Sequence, residues 1–412
     1  MREIQYIGIS ANLTLGAHGH FETFHKGIFK AFEDCEEKIT YLGSDKAITS
    51  KYPIWYKPII PTTMARPISW AKTKFIMNYP SGHLGKYKST NYFIYEGNLA
   101  WATLQTIQAL KDPQSLSYVN LFDSKKYLKV NKSRVKKFFF TIYTTILHRV
   151  SGGRLILGAD THELATTLEK FLSIPVMVFP AFSIMPDKHE GSGLLRDHKR
   201  ILITIRGDAA RINLFVALEQ ACTDCQYIIH GADPSSHMVF ETKPNIMFTK
   251  EFQSETEYFN LFNGVDRCII SYSPLDFSHQ SSGRFYDCVA MNIPVSVPAN
   301  TSMAGLARKY GNSRIFDFES SIEIRQELNH GIIFSERRHE EHISPAEFVR
   351  KMKIIFLRTT ETQTSRPKIK IFKLICAWYA YGAYRTFRFL GFGSFKLVVY
   401  KVKTVIRNKS KN

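Results

Sequence analysis

Apolar and polar positions along this chain fall into two alternating rhythms. A short apolar run at 4–10, IQYIGIS, predicts a buried strand, and the polar, Gly-bearing turn ANLTLGAHGH follows it. In FETFHKGIFKAF, Phe21, Phe24, Ile28 and Phe32 recur at helical spacing and predict one buried helix face. The same strand-then-helix rhythm recurs at TNYFIYEG (90–97) with NLAWATLQTIQAL, and at LSYVNLFDS (116–124) with VKKFFFTIYTTILHRV. It recurs again at GRLILGAD (153–160) with THELATTLEKFL, where Asp160 or Thr161 is the expected helix cap. IPVMVFPAF predicts one more strand. The rhythm breaks at SIMPDKHEGSGLLRDHKR (183–200), which is charged, carries Pro and Gly, and has little periodicity.

After the break the pattern resumes. RILITI (200–205), QYIIHG, IMFTKEF, RCIISYSP (267–274) and RIFDF predict strands. Helices are expected in RGDAARINLFVALEQAC, SETEYFNLFNGV, TSMAGLARKYG and PAEFVRKMKIIFLRT (345–359). Strands alternating with helices predict parallel α/β sheets. The expected organisation is a first α/β domain over 1–185, a linker at 186–199 and a second α/β domain over 200–344. A helix at 345–365 and a tail at 366–412 follow.

The length of 412 residues agrees with two cores, and 44% hydrophobic with 22% charged residues is a folded globular composition. Six cysteines do not make a disulfide framework. Cys222 and Cys225 form a single C-x2-C without a second pair at metal-ligand spacing, so reduced thiols are expected there. MREIQYIGIS has no long apolar stretch, and a signal peptide is not expected. The formal charge of +19 is unevenly spread: Arg366–Asn412 holds twelve Lys or Arg and no acid, leaving +7 for everything before it.

Three stretches carry candidate chemistry. In IRGDAAR (205–211), Arg206 and Arg211 stand at the end of a predicted strand and the start of a helix. Two cations beside a helix N-terminus suit a leaving group that gains negative charge, because each Arg can offer parallel hydrogen bonds. In HQSSGRFYDCVAMNIPVSVP (279–298), a polar turn enters a short helix and then an apolar strand. Ser281, Ser282 and Gly283 would present amides at the helix head, and the Asp287 carboxylate accepts two hydroxyl donors. Asn300, Thr301 and Ser302 are placed to cap the next helix. In LGAHGHFE (15–22), Gly16 and Gly19 flank His18 and precede His20. Three acids end first-domain strands, Glu96, Asp123 and Asp160, and each is a candidate general base or a helix cap.

On these three stretches the chain resembles the GT-B glycosyltransferases, two Rossmann-like domains facing across a cleft, and in particular glycosyltransferase family 4. The resemblance covers about 1–350 and is strongest over 200–318. It implies an acceptor-side first domain and a donor-side second domain. It implies that Arg206 and Arg211 grip the donor diphosphate, although the order here is Arg-Gly rather than Gly-Arg and the second cation is Arg rather than Lys. It implies that His279 and Asp287 hold the places of two glutamates, one facing the donor sugar and one the ribose, and that Asn292 replaces the family's Gly at a left-handed helix end, which Asn tolerates. It implies that Gly16 and Gly19 lie under the diphosphate and that His18 and His20 are candidate contacts to the sugar or acceptor. His20, His279 and Glu96 are the candidate catalytic residues. Gly16, Gly19, Arg206, Arg211, Ser281, Ser282, Gly283 and Asp287 are the candidate donor-binding residues. No Asp-x-Asp in a suitable loop, no Walker motif and no nucleophile elbow occurs, so neither a metal nor another cofactor is expected. The activity implied is transfer of a hexosyl group from a nucleotide-sugar, with retention in family 4. Two rivals share the fold: a catalytically silent partner subunit, for which His279 in place of Glu speaks, and a nucleotide-sugar 2-epimerase.

The tail mixes cations with Trp, Tyr and Phe, and its longest uncharged run, LICAWYAYGAY, is too short to span a bilayer. The pattern suits an anionic membrane surface. Packing back onto the first domain, or a nucleic-acid arm, are the alternatives, and no nucleic-acid module stands upstream. The expected setting is bacterial polysaccharide biosynthesis at the inner face of the cell membrane: a peripheral cytoplasmic enzyme acting on a lipid-linked or envelope-polysaccharide acceptor.

Overall fold

A computed structural model describes residues 4–10, 20–44, 56–60, 89–97, 99–111, 114–121, 134–172, 174–179, 198–206, 208–231, 243–249, 255–310, 313–329 and 345–362. Its first half holds strands β1 (Ile4–Ile9), β2 (Ile39–Ser44), β3 (Tyr56–Ile60), β4 (Ser89–Gly97), β5 (Leu116–Leu121), β6 (Leu155–Ala159) and β7 (Val176–Val178). They form one sheet in the order β3-β2-β1-β4-β5-β6-β7. Helices α1 (His20–Asp34), α2 (Leu99–Lys111), α3 (Arg134–Val150) and α4 (His162–Leu172) connect them. The second half holds β8 (Lys199–Arg206), β9 (Cys225–His230), β10 (Ile246–Phe248), β11 (Arg267–Tyr272), β12 (Val295–Pro298) and β13 (Ser313–Phe316), ordered β10-β9-β8-β11-β12-β13. Its helices are α5 (Asp208–Glu219), α6 (Glu255–Asn260), α7 (Pro274–Phe277), α8 (Gly283–Ala290), α9 (Ser302–Tyr310) and α10 (Ser321–Asn329). A last helix, α11, spans Pro345–Thr362.

Every strand pairing is parallel. Parallel sheets are covered on both faces, which is why β5, β6 and β12 are buried at every position. The strand order reverses between β1 and β4, and again between β8 and β11. Loops leaving the C-terminal ends of strands at such a reversal diverge and open a crevice.

The predicted helix face of α1 is observed: Phe24, Ile28 and Phe32 are buried. They meet α11, whose Phe348, Val349, Met352 and Phe356 form a matching buried stripe. Phe348 packs edge-on against Phe24, with ring centroids 5.8 Å apart, and against Phe179 at 4.9 Å. Lys353 Nζ reaches Glu37 Oε1 at 2.5 Å. The chain therefore leaves the second domain and closes on the first. One hydrophobic cluster runs unbroken from Phe24 and Phe93 to Phe285, Val297 and Met303 of the second half.

The strands β2 and β3 and the helices α7 and α10 extend the predicted set. β7 is three residues long, shorter than the predicted 174–182. The linker 186–199 lies outside the described residues except for His198 and Lys199, and Lys199 already belongs to β8. The tail 366–412 lies outside them entirely.

The end of α8 is built as anticipated. Asn292 adopts a left-handed φ of 58°. Its N–H donates to Val289 O at 3.1 Å, and Ile293 N donates to Cys288 O at 2.8 Å. These two bonds satisfy carbonyls that a helix end otherwise leaves open. Asn292→Gly should hold urea stability at or above the wild-type value, whereas Asn292→Ala should lose about 1 kcal/mol. Equal losses in both variants would mean that the Asn side chain, not its backbone angle, is what matters there.

Candidate functional site at the domain junction

β6 ends at Ala159, and the next two residues, Asp160 and Thr161, lie where the first domain touches the second. Thr161 caps α4, its Oγ1 accepting from Leu164 N at 3.1 Å. The same hydroxyl donates to the carbonyl of His279 at 2.9 Å. Asp160 is therefore not the cap. Its Oδ2 accepts from Ser281 Oγ at 2.7 Å and from Ser281 N at 3.4 Å. Glu163, in the first turn of α4, lies against α9: a Cβ on Gly305 would stand 2.6 Å from Glu163 Oε1. From the second domain, Ser302 Oγ donates to Gln280 O at 2.7 Å. The turn 279–281 is thus gripped by β6–α4 on one side and by the head of α9 on the other.

Burial dominates the electrostatics. Asp160 is 1% exposed. Desolvation pushes its carboxyl up to about 6, with the Ser281 bonds pulling it back and the Glu163 charge adding to the rise. Burial, then the Asp160 charge, pushes the Tyr118 hydroxyl well above its ordinary range. Tyr118 on β5 leans over Gly158 of β6, where a Cβ would lie 1.9 Å from its hydroxyl oxygen. Asn120 is paired in register with the same glycine. Three fully buried polar groups meet here without a hydrogen-bond partner among the described residues: Asp160 Oδ1, the Tyr118 hydroxyl, and both amide atoms of Asn120. His279 shares a 2.8 Å hydrogen bond between its Nδ1 and Ser278 Oγ. Burial holds its pKa below the ordinary histidine value, against the opposing pull of Glu163.

On the second-domain side, the hydroxyl of Tyr258 in α6 donates to Asp287 Oδ2. Asp287 is buried. The Arg284 guanidinium is stacked between two rings, 4.5 Å from the Tyr258 centroid and 5.0 Å from that of Phe262. Burial and the Arg284 charge draw His230, at the end of β9, down to about 4, so its imidazole is neutral at pH 7. Arg206 is exposed at the end of β8, its Cζ 5.8 Å from the Phe277 ring.

The structure brings Arg206, His279, Ser281, Ser282, Gly283 and Asp287 to one edge of the second sheet. Ser282 precedes α8 with extended backbone and makes no capping bond with its side chain, and Gly283 is the first helical residue. The amide and hydroxyl of Ser281 are both engaged by Asp160, and Asp287 is engaged by Tyr258. Gly16, His18, Gly19 and Asp123 lie outside the described residues. So do the side chains of His20, Glu96 and Arg211, whose backbones stand in α1, β4 and α5. The sequence reading gave Tyr118, Asn120, Tyr258 and Arg284 no role. Alternation along LSYVNL places Tyr118 and Asn120 on one face and was the available signal. Both are buried, so that face carries two polar-tipped side chains into the core. Among the described residues no three His, Cys, Asp or Glu side chains converge as a metal site. None of their helices is long and apolar enough to cross a membrane.

Comparison with solved structures matches this architecture over most of the chain. A glycosyltransferase from Rickettsia africae superposes with a TM-score of 0.58 at 12% identity, covering 87% of this chain and 99% of that one. Sucrose-phosphate synthase from Thermosynechococcus elongatus gives 0.55 at 11% identity, covering 87% and 97%. The UDP-GlcNAc 2-epimerase from Neisseria meningitidis bound to UDP-GlcNAc gives 0.50 at 12% identity, covering 87% and 99%. No protein-family model and no curated protein matches the chain. The fold is GT-B: two parallel α/β domains whose carboxyl edges face one another.

The raised Asp160 carboxyl has a consequence for stability. The unfolded chain ionises this group near pH 4, while the folded protein holds the proton to about pH 6. Stability is therefore lost as pH rises between those values, by an amount on the order of 3 kcal/mol. Asp160→Asn should unfold at higher urea than the wild type at pH 7, with the gap closing at pH 4. A pH-independent gap would show that Asp160 is not held in this way.

Proposed function

We propose that this chain is a glycosyltransferase that takes a sugar from a nucleotide-sugar donor bound along the edge Arg206–Arg211 and 279–287. The observation that carries the reading is the docking of turn 279–281, at the head of α8, against the first-domain residues Asp160 and Thr161. A polar turn at a strand-order reversal, held between two domains, is where this class of sheet binds ligands. Packing accounts for Phe285, Val295 and Val297. It does not account for His279, Ser281, Ser282 and Asp287 gathered at one edge.

The chemistry follows from the charges. Breaking the bond between the anomeric carbon and the diphosphate leaves negative charge on the departing oxygen. Arg206 and Arg211, with the amide-bearing head of α8, stabilise that charge without a bound metal. Asp287 orders the ribose end of the site together with Tyr258. Gly16, Gly19 and His20 are assigned to the donor side of the reaction by the family resemblance, and Glu96 stays a candidate catalytic residue. The acceptor is a lipid-linked or polysaccharide hydroxyl. The basic aromatic tail, 366–412, holds the enzyme peripherally at an anionic membrane, on its cytoplasmic face. A second reading, nucleotide-sugar 2-epimerase, is favoured by the shared fold of the Neisseria meningitidis enzyme. It differs in product, since an epimerase changes the sugar while it stays joined to the nucleotide and uses no acceptor.

A thermal-shift panel of UDP, GDP, ADP and CMP tests the donor site. A nucleotide at about a hundred times its Kd stabilises the native state by about 2.7 kcal/mol, which is roughly 5–10 °C for domains of this size. One nucleotide should shift the wild type by that amount, and Asp287→Ala and Arg211→Ala should each lose most of the shift. If none of the four shifts a well-folded protein, the edge is core packing and the chain is a silent relative. Incubating the corresponding nucleotide-sugar then separates the two enzymes: a transferase releases nucleoside diphosphate, and an epimerase returns an isomerised nucleotide-sugar.

A further inference from the structure

Resting on the glycosyltransferase reading, we propose that Asp160, Tyr118 and Asn120 form the hydroxyl-binding site of the first domain, with Asp160 the group that takes the proton of the attacking hydroxyl. In the proposed step the acceptor oxygen bonds to the anomeric carbon. The bond from that carbon to the diphosphate oxygen breaks, and its electron pair leaves with the nucleoside diphosphate. The acceptor proton passes to Asp160 Oδ1. A carboxylate acting from the acceptor side inverts the anomeric centre, a departure from the retention that the family resemblance implies.

Four observations converge on this site. Asp160 is the strand-end acid whose ordinary role, capping the next helix, has been taken by Thr161. Its Oδ2 is anchored to Ser281 of the donor-side turn, which fixes the carboxylate at the boundary between the two domains. Its Oδ1 is buried with no partner among the described residues, and so are the Tyr118 hydroxyl and the Asn120 amide. Gly158 supplies the space: any side chain there would collide with the Tyr118 hydroxyl.

Buried polar atoms are rarely left unpaired, because each forfeits hydrogen bonds it would make in water. This cluster offers one carboxylate acceptor, one hydroxyl that both donates and accepts, and one amide that does both. A vicinal polyol, which donates and accepts at each carbon, satisfies that set. An apolar ligand or a phosphate does not, since the carboxylate would repel the latter.

The acid–base state suits the role. Glu163 and Tyr118 are the titratable groups that face Asp160, and Glu163 acts in the same direction as burial. A carboxyl that ionises near pH 6 is charged at pH 7–8 and is a stronger base than an exposed aspartate. Loss of activity is then expected as pH falls through about 6.

The test uses the full-length protein with UDP-glucose, UDP-galactose, UDP-N-acetylglucosamine and GDP-mannose, water serving as the hydroxyl acceptor. Nucleoside diphosphate release is followed from pH 5 to 9, beside the nucleotide thermal shift of each variant. Asp160→Asn should keep the nucleotide shift and lower release at pH 8 at least about a hundredfold, the usual scale for a general base. Tyr118→Phe should lower it about tenfold, the effect of one hydrogen bond. The wild-type rate should fall below about pH 6. Asp160→Asn releasing within threefold of wild type at every pH overturns the inference and assigns the cluster to buried water. A wild type that shifts with nucleotide but releases none from any donor also overturns it, while the donor site stands. Absence of any nucleotide shift removes the donor-site reading itself, and this inference with it.

Discussion

The parallel pairing of every strand is the constraint from which the rest of this molecule follows. A parallel sheet returns its chain through a helix after each strand, so both faces are covered and the strand interiors become largely apolar. Polar chemistry is then displaced to the strand ends. Because both sheets reverse their order once, between β1 and β4 and between β8 and β11, the displaced residues gather at two carboxyl edges. Arg206, Tyr272 and the turn 279–282 stand at one of these edges, and Asp160 and Thr161 at the other.

What brings the two edges face to face is a return of the chain. The α11 stripe of Phe348, Val349, Met352 and Phe356 packs on the first domain, against Phe24 of α1, Phe93 of β4 and Phe179. Four such side chains, each contributing about 1.5–3 kcal/mol on burial, give the second domain a firm attachment independent of the small polar contact at the junction. The junction itself is built from hydrogen bonds: Thr161 to His279, and Ser281 to Asp160.

The same junction shows where stability has been given up. A carboxyl with one unpaired buried oxygen, a tyrosine hydroxyl and an asparagine amide in similar condition are all poor choices for a core. They stand beside a glycine that makes room for them, and Asp160 reaches the candidate donor turn through its bond with Ser281. By contrast, the buried ion pair of Arg267 with Glu327 is fully supported by Ser296 Oγ and by the Glu327 carbonyl, and it ties α10 to the second sheet. Satisfied charge has a structural role at this ion pair, whereas at the junction Asp160 Oδ1, the Tyr118 hydroxyl and the Asn120 amide stand together unsatisfied.

The sequence by itself determined the alternation of strands and helices, the break between two halves, the α1 stripe and the left-handed turn at Asn292. Each of these is set by periodicity or by the local steric needs of a few neighbouring residues. The edge strand β3 and its neighbour β2 escaped it. The candidate site was legible as residue types: two cations, a Ser-Ser-Gly turn and strand-end acids. Their pairings were not. Asp160 and Ser281 are separated by 121 residues, and Tyr258 and Asp287 by 29. Only the docking of one domain on the other could decide that Thr161 caps α4 and Asp160 turns to Ser281. Periodicity records which face of an element is buried, whereas tertiary structure chooses what lies against it.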